Sequence, residues 1–275
     1  MNPLAPTAVA PVERIGADGV STATTALIAE EVPVALVYNG ISHAVMMASP
    51  TDLADFGLGF SLSEGIIAHA DELLDLAVEP AQDGIEVRMA IALERFAALK
   101  DRRRNLTGRT GCGLCGVDSL KEAVRHPAPV LAETHFAIEA INRALAELPT
   151  HQLVNRATGA VHAAVWVEPG GAIALAREDV GRHNALDKLI GALARRVANP
   201  AQGFAVITSR CSVEMVQKAA VFGMPLLVAI SAPTAMARRL AEECRLTLIA
   251  LARPDSLLVL SHPWRLDRPS TRLAS

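Results

Sequence analysis

The sequence predicts an α/β protein, α+β overall, with a smaller N-terminal α+β unit ahead of a domain built on a mixed, largely parallel sheet. Three observations carry that expectation. Beyond residue 160, short apolar runs alternate with helical patterns, the order that βαβ crossovers produce. Before residue 95, apolar runs pair instead around the turn dipeptides Asn39-Gly40 and Asp83-Gly84. Charge divides near the same boundary. Residues 1–94 hold fourteen acids and two bases (Arg14 and Arg88), or −12, and residues 95–275 hold twenty-four bases and fifteen acids, or +9, within a total of −3.

Taken in order, residues 1–25 are rich in Ala, Pro, Thr and Gly without a sustained period and read as a loose tail. Residues 26–95 form the α+β subdomain. Val32 to Val37 and Ile41 to Met47 read as strands around the type I′ signal Asn39-Gly40. Ser49-Pro50-Thr51-Asp52 opens a helix through Ile67, with Pro early and acids in the first turn. Leu73 to Glu79 and Ile85 to Leu93 read as a second strand pair. Residues 96–117 read as a mobile loop. Residues 118–265 then form the larger domain, with helices at Asp118 to Arg125, Ala137 to Leu148, Asn184 to Val197, Ser212 to Phe222 and Thr234 to Glu243. Its strands are Ala160 to Val167, Ala172 to Ala176, Phe204 to Thr208, Leu226 to Ile230, Leu246 to Leu251 and Ser256 to Leu260. Residues 266–275 are a tail.

With 51% hydrophobic residues the chain is globular, and nine aromatics (two Trp, one Tyr, six Phe) are too few for a single-stranded nucleic-acid stacking surface. The uncharged stretch Ala219 to Ala237 contains Gly223, Pro225 and Pro233, so it reads as helix end, strand and helix start, not as a membrane span. Four cysteines are too few for a disulfide scaffold and the N-terminus has no secretory pattern, so a cytoplasmic protein with reduced thiols is expected.

Two of those cysteines, Cys112 and Cys115, lie at C-x-x-C spacing in a run with glycines at 108, 111, 113 and 116. Lys100, Arg102, Arg103, Arg104 and Arg109 precede Cys112. Cations and a following helix N-terminus favour thiolate over thiol, and flexible backbone leaves the sulfur reachable. Covalent sulfur chemistry fits. Half of a zinc site and a thioredoxin-like redox pair are the alternatives, although Cys211 and Cys244 form no second C-x-x-C.

Polar residues also gather where strands end, the usual ligand edge of an open α/β sheet. Arg177-Glu178-Asp179-Val180-Gly181-Arg182-His183-Asn184 follows one strand. Arg182 and His183 suit a phosphate, whereas Glu178 reads better as a helix cap. Thr208, Ser209 and Arg210 follow the next strand, Ser231 with Ala232-Pro233-Thr234 the one after, and Leu251 to Ser256 the last. Four such exits on the basic part of the chain point to one phosphate-bearing ligand.

Together these segments resemble the FdhD family, accessory sulfurtransferases of formate dehydrogenases. The likeness rests on T-G-C-G-L-C-G at 110–116, E-D-V-G-R-H-N-A-L-D-K-L-I-G at 178–191, T-S-R at 208–210 and S-A-P-T at 231–234, and runs from about residue 30 to 265. It implies a cytidine-deaminase-like three-layer core, a homodimer, and no metal ion of the protein's own. It also implies sulfur taken from a cysteine desulfurase as a persulfide on Cys112, with Cys115 as relay or resolving neighbour. The acceptor would be the Mo-bis(molybdopterin guanine dinucleotide) cofactor of formate dehydrogenase, met by Leu251, Ala252, Arg253, Pro254, Asp255 and Ser256. The H-x-E and P-C-x-x-C signature of a zinc deaminase is absent, so the resemblance implies no deaminase activity. The alternative to sulfur transfer is a non-enzymatic escort for a guanine-nucleotide cofactor with a structural or zinc-binding C-x-x-C; a thiol-disulfide oxidoreductase is the third reading.

Overall fold

The computed structural model describes residues 5–107 and 125–267, with the side chains of 102–107 left aside. A four-stranded sheet in the order β4-β3-β6-β5 comes from β3 (Val32–Tyr38), β4 (Ile41–Ala48), β5 (Leu73–Ala81) and β6 (Gly84–Ile91). Asn39 (φ 47°) and Gly40 (φ 82°) both take positive φ, so the β3–β4 link is the type I′ turn that Asn-Gly favours. Helix α1 (Leu53–Ser63) crosses this sheet and packs against α5 (Arg182–Arg195). Two glycines permit that approach. A Cβ on Gly59 would lie 1.7 Å from the Asp187 carbonyl oxygen, and one on Gly191 would lie 1.9 Å from that of Asp55. Any side chain there pushes the helices apart.

The second sheet has six strands in the order β13-β12-β11-β10-β8-β9. They are β8 (His162–Val167), β9 (Ile173–Asp179), β10 (Phe204–Ile207), β11 (Leu226–Ala229), β12 (Thr247–Arg253) and β13 (Ser256–Ser261). Only β10–β11 and β11–β12 are parallel, so the sheet is mixed as expected, with its parallel part confined to the centre and less extensive than the sequence suggested. There, Phe204, Val206, Leu226, Val228 and Ile249 are fully buried, which is why these strands read as continuous apolar runs. Helices α5, α6 (Val213–Val221) and α7 (Ala235–Glu243) cover one face, and α3 (Ile138–His151) covers the other. One apolar core runs from Val34 and Leu36 through Phe56 and Leu189 to Leu248, so no packing boundary falls at residue 95.

Four sequence readings need correction. Residues 7–29 are not a loose tail but a hairpin of β1 (Thr7–Ile15) and β2 (Ser21–Ala29), hidden from periodicity because both its faces are exposed. The expected loop from residue 96 is helix as far as residue 107, since α2 spans Leu93–Thr107; Ala, Leu, Lys and Arg favour helix there, and Leu99 is buried, while 108–117 lie outside the described residues. Strand β9 continues to Asp179, because Glu178 and Asp179 pair with Ala163 and His162 of β8. The C-terminal tail starts too early at 266. Leu266–Asp267 forms β14 on β7 (Phe136–Ala137). Just before it, the fully buried Arg265 donates to the carbonyls of Val130, Ala132 and Arg245. The expected helix at Asp118 lies, except for Arg125, outside the described residues.

Candidate functional site

The order of strands brings the predicted exits to one edge. Strand β9 ends at Asp179, opposite His162, the first residue of the antiparallel β8. Next along the edge, Thr208 N donates to Ala163 O (3.0 Å), Ile230 N to Ile207 O (2.9 Å) and Leu251 N to Ser231 O (3.2 Å). The four polar clusters thus lie along one edge, those after β10, β11 and β12 on adjacent strands and that after β9 one strand further out, beyond β8.

The segment 178–191 shows which side chains hold the edge and which face it. Glu178 accepts from the N–H groups of Val154 and Asn155 (both 2.8 Å), capping the short helix α4 (Leu153–Thr158) as the sequence suggested. Asp179 is fully buried. It accepts from Ser49 N (3.0 Å), Gly181 N (2.8 Å) and Asn184 Nδ2 (2.9 Å), and pairs with Lys188 Nζ at 2.6 Å. Asn184 also donates to Met47 O and Lys188 to Ser49 O, which ties α5 to the N-terminal sheet. Asp187 accepts from Ser63 Oγ (2.6 Å) and Lys218 Nζ (2.9 and 3.0 Å). Lys218 in turn meets Glu64 at 2.8 Å, and Glu64 binds the Arg125 guanidinium. Burial alone would push Glu64 up, but Lys218 and Arg125 hold it below the usual glutamate value. Burial pushes Asp187 up, and Asp187 and Glu64 together raise Lys218 against its own burial. That combination describes a proton kept on Lys218 between two carboxylates.

Arg182 and His183 are different. Among the described residues, the other polar side chains of the segment have partners, whereas Arg182 Nε and His183 Nε2 are buried with none. Ser212 Oγ, at the start of α6, is likewise unpartnered. Burial, then Arg182 and Lys218, push His183 down to about 4, and burial and Arg182 also lower His162. Both are therefore neutral imidazoles at pH 7. Glu214 lies close by. Burial opposes its ionisation, but Ser212, its own backbone N–H, His183 and Arg182 lower it overall. Ser212 Oγ is thus near enough to stabilise that carboxylate without a well-formed hydrogen bond. Around Arg182 the edge offers its guanidinium, the neutral imidazoles of His183 and His162, the Ser212 hydroxyl and the Glu214 carboxylate, a set that suits a phosphate beside a polar heterocycle better than phosphate alone.

The remaining predicted residues divide. Thr208 Oγ1 accepts from Ala163 N (2.9 Å), so it closes the sheet end. Ser209 is buried and donates to Arg210 O (3.0 Å), whereas Arg210 is exposed. Ser231 meets β12 through its carbonyl. Leu251 to Ser256 is not a strand exit into a loop. Leu251, Ala252 and Arg253 remain in β12, and Pro254-Asp255 turns the β12–β13 hairpin just beyond the edge. Arg253 Nη1 caps Ile230 O (2.6 Å) and Ala252 O (2.8 Å). Leu251, with positive φ (48°), turns outward and is 44% exposed. Cys112 and Cys115 lie outside the described residues.

His162 and Glu214 complete the edge but were not singled out as ligand residues from sequence. His162 sits inside a strand pattern, and only the antiparallel direction of β8 places its first residue here. Cys211 is fully buried and its thiol is pushed up to about 12, and burial lifts Cys244 to about 11. Among the described residues no group of three or more His, Cys, Asp or Glu could hold a metal ion, and no helix is long and apolar enough to cross a membrane. Two grooves among the described residues, one of about 610 Å³ beside Leu62, Arg95 and Phe222 and one of about 640 Å³ beside Leu58, Leu74 and Arg195, contain none of the edge residues just described.

The FdhD/NarQ family model matches residues 29–267. The sulfur carrier protein FdhD of Cupriavidus necator is 52% identical over 244 residues, covering 89% of this chain and 85% of that protein. Its namesake in Xanthomonas euvesicatoria is 53% identical over 249 residues, 90% and 89% of the two chains. A crystal structure of a proposed formate dehydrogenase accessory protein from Desulfotalea psychrophila superposes with TM-score 0.75 at 24% identity, over 95% of this chain and 99% of that one, which shows a shared fold.

Proposed function

Because the chain belongs to the FdhD/NarQ family, we propose that it is a sulfurtransferase, a sulfur carrier that serves formate dehydrogenase through a cysteine persulfide. The Cys112 thiolate attacks the outer sulfur of a cysteine desulfurase persulfide; that sulfur moves to Cys112 and the donor leaves as a thiolate. Cys115 stands ready to relay or resolve it. The acceptor is the Mo-bis(molybdopterin guanine dinucleotide) cofactor, a substrate whose pyrophosphates and guanines suit the strand-exit edge. The protein acts in the cytoplasm as a homodimer.

One observation carries the acceptor part of this reading. Within residues 178–191, buried Asp179, Asn184, Asp187 and Lys188 are consumed by intramolecular bonds, yet Arg182 Nε and His183 Nε2 are desolvated without partners at the edge where four strand ends meet. A buried donor left unsatisfied costs about 1–3 kcal/mol, a penalty that a bound ligand removes.

The test has two arms. Loading with a desulfurase and cysteine, followed by alkylation and peptide mapping, puts an extra sulfur (about 32 Da) on Cys112. Cys211 and Cys244 serve as internal controls, since burial keeps both thiols protonated. The extra sulfur on Cys211 or Cys244 with none on Cys112 overturns the assignment. In the second arm GDP stands for part of the cofactor. At ~100 times its dissociation constant it stabilises the fold by about 2.7 kcal/mol. Arg182→Ala weakens that shift and spares persulfide formation, whereas Cys112→Ala does the reverse. No thermal shift at millimolar GDP removes the strand-exit site.

A further inference from the structure

The β1–β2 hairpin extends from the body with Val9, Ile15, Val20, Leu27 and Ile28 between 47% and 69% exposed. Its principal neighbour in the body is α4. A two-stranded ribbon of this kind is marginal in water unless something covers it. Its two edges differ. In β1 the outer edge carries Pro11, which has no N–H to offer, and the charges of Glu13 and Arg14. Strand β2, Ser21–Ala29, has the sequence STATTALIA, with no proline and no charge, and among the described residues only β1 pairs with it.

The ladder fixes which groups of β2 point outward. Gly16 N donates to Val20 O and Glu30 N to Pro6 O (both 2.9 Å), so even-numbered residues exchange the inward bonds. Pro11 faces Thr25, a pair that needs no inward N–H from the proline. The N–H and C=O groups of Ser21, Ala23, Thr25, Leu27 and Ala29 therefore point outward and, among the described residues, form an uncharged edge paired with no other strand.

We infer that β2 is the dimerisation strand, pairing antiparallel with β2 of a second copy about a two-fold axis through Thr25. This deepens the reading of the chain as a homodimer and is independent of its sulfur chemistry. Pairing centred on Thr25 sets Ala23 opposite Leu27 of the partner and Ser21 opposite Ala29, using all five outward residues. It adds about ten hydrogen bonds and brings no like charges together. The two hairpins become one four-stranded sheet, with Val9 and Leu27 of both copies on one continuous apolar face. The contact is isologous, so it closes at two copies, and the blunted β1 edges do not extend it.

The test uses the full chain in analytical ultracentrifugation over a range of concentrations, with two variants. Thr25→Pro removes an outward N–H and spares the β1–β2 ladder, as Pro11 already does across from it. It raises the dimer dissociation constant at least tenfold while leaving the melting profile of the dissociated chain intact. Thr25→Cys under mild oxidation gives a disulfide between the two position-25 peptides, since paired Cα atoms in such a ladder lie within disulfide reach. A dimer that Thr25→Pro leaves intact and Thr25→Cys does not cross-link overturns this interface and keeps the homodimer. A wild-type chain that stays monomeric at tens of micromolar overturns both.

Discussion

Replacing Lys218 with methionine tests the charge cluster on which α5 rests. The Lys218 side chain is 6% exposed and its ammonium reaches Asp187 (2.9 and 3.0 Å), Glu64 (2.8 Å) and Ser63 (3.0 Å). Methionine fills the same space without charge. Glu64 then keeps Arg125 and partial access to water, but Asp187 keeps only Ser63 and stays buried. Stranding one partner of a buried pair costs about 3–5 kcal/mol, against a typical total of ~5–15 kcal/mol. At roughly 2–4 °C per kcal/mol for a chain near this size, Lys218→Met melts ~6–20 °C lower. The loss depends on pH with a definite sign. Without the cation, the folded-state pKa of Asp187, already raised by burial, rises further above its unfolded value. Such a group contributes stability below its unfolded pKa and loses it as pH rises through the folded one, so the variant recovers on acidification. In the wild type Glu64, held low, opposes that trend by losing its contribution as pH falls. Urea unfolding followed by circular dichroism at pH 7 and pH 5 measures both trends. Lys218→Met with Asp187→Leu removes the stranded charge and regains most of the loss. A deficit under about 1 kcal/mol at pH 7, a gap that does not narrow at pH 5, or a double variant no better than the single would each refute the reasoning.

Two further predictions follow from packing and burial. Gly191→Ala brings a Cβ to within 1.9 Å of the Asp55 carbonyl oxygen, so α1 and α5 separate and stability drops by about 1–3 kcal/mol or more, read as a lower urea midpoint; an unchanged midpoint refutes the close crossing. His183, pushed down to about 4 by burial and by Arg182, binds fewer protons folded than unfolded between that value and about 6.5, so it favours the fold above this window and ceases to as pH falls through it. An imidazole NMR titration of the folded protein should place its midpoint near 4, and a midpoint above 6 contradicts the buried, cation-facing placement.

Much of this architecture is local and was legible. Asn39-Gly40 specifies its turn through backbone sterics, and Val, Ile, Leu and Phe in short runs specify β10 and β11, because a strand buried on both faces needs nothing else. The C-x-x-C spacing and the long motif at 178–191 are likewise visible as residue types at fixed spacing. The structure changed the meaning of that motif. Asp179, Asn184, Asp187 and Lys188 are framework, each held by groups such as Met47, Ser49 and Ser63 more than 120 residues away along the chain. Arg182 and His183, already proposed from sequence, separate from these framework residues only once the framework partners are known.

The sequence by itself determined most of the strands and helices, the division of charge and the family, since periodicity, turn chemistry and motif spacing act over a few residues. Tertiary structure alone decided three things. The antiparallel direction of β8 puts His162 beside Arg182. The exposed ribbon at residues 7–29 carries no burial pattern for a sequence to reveal. Lys218 looks like a surface residue on an amphipathic helix until α5 brings Asp187 within 2.9 Å of it, and the fate of that charge is settled by desolvation and by a partner that proximity along the chain does not predict.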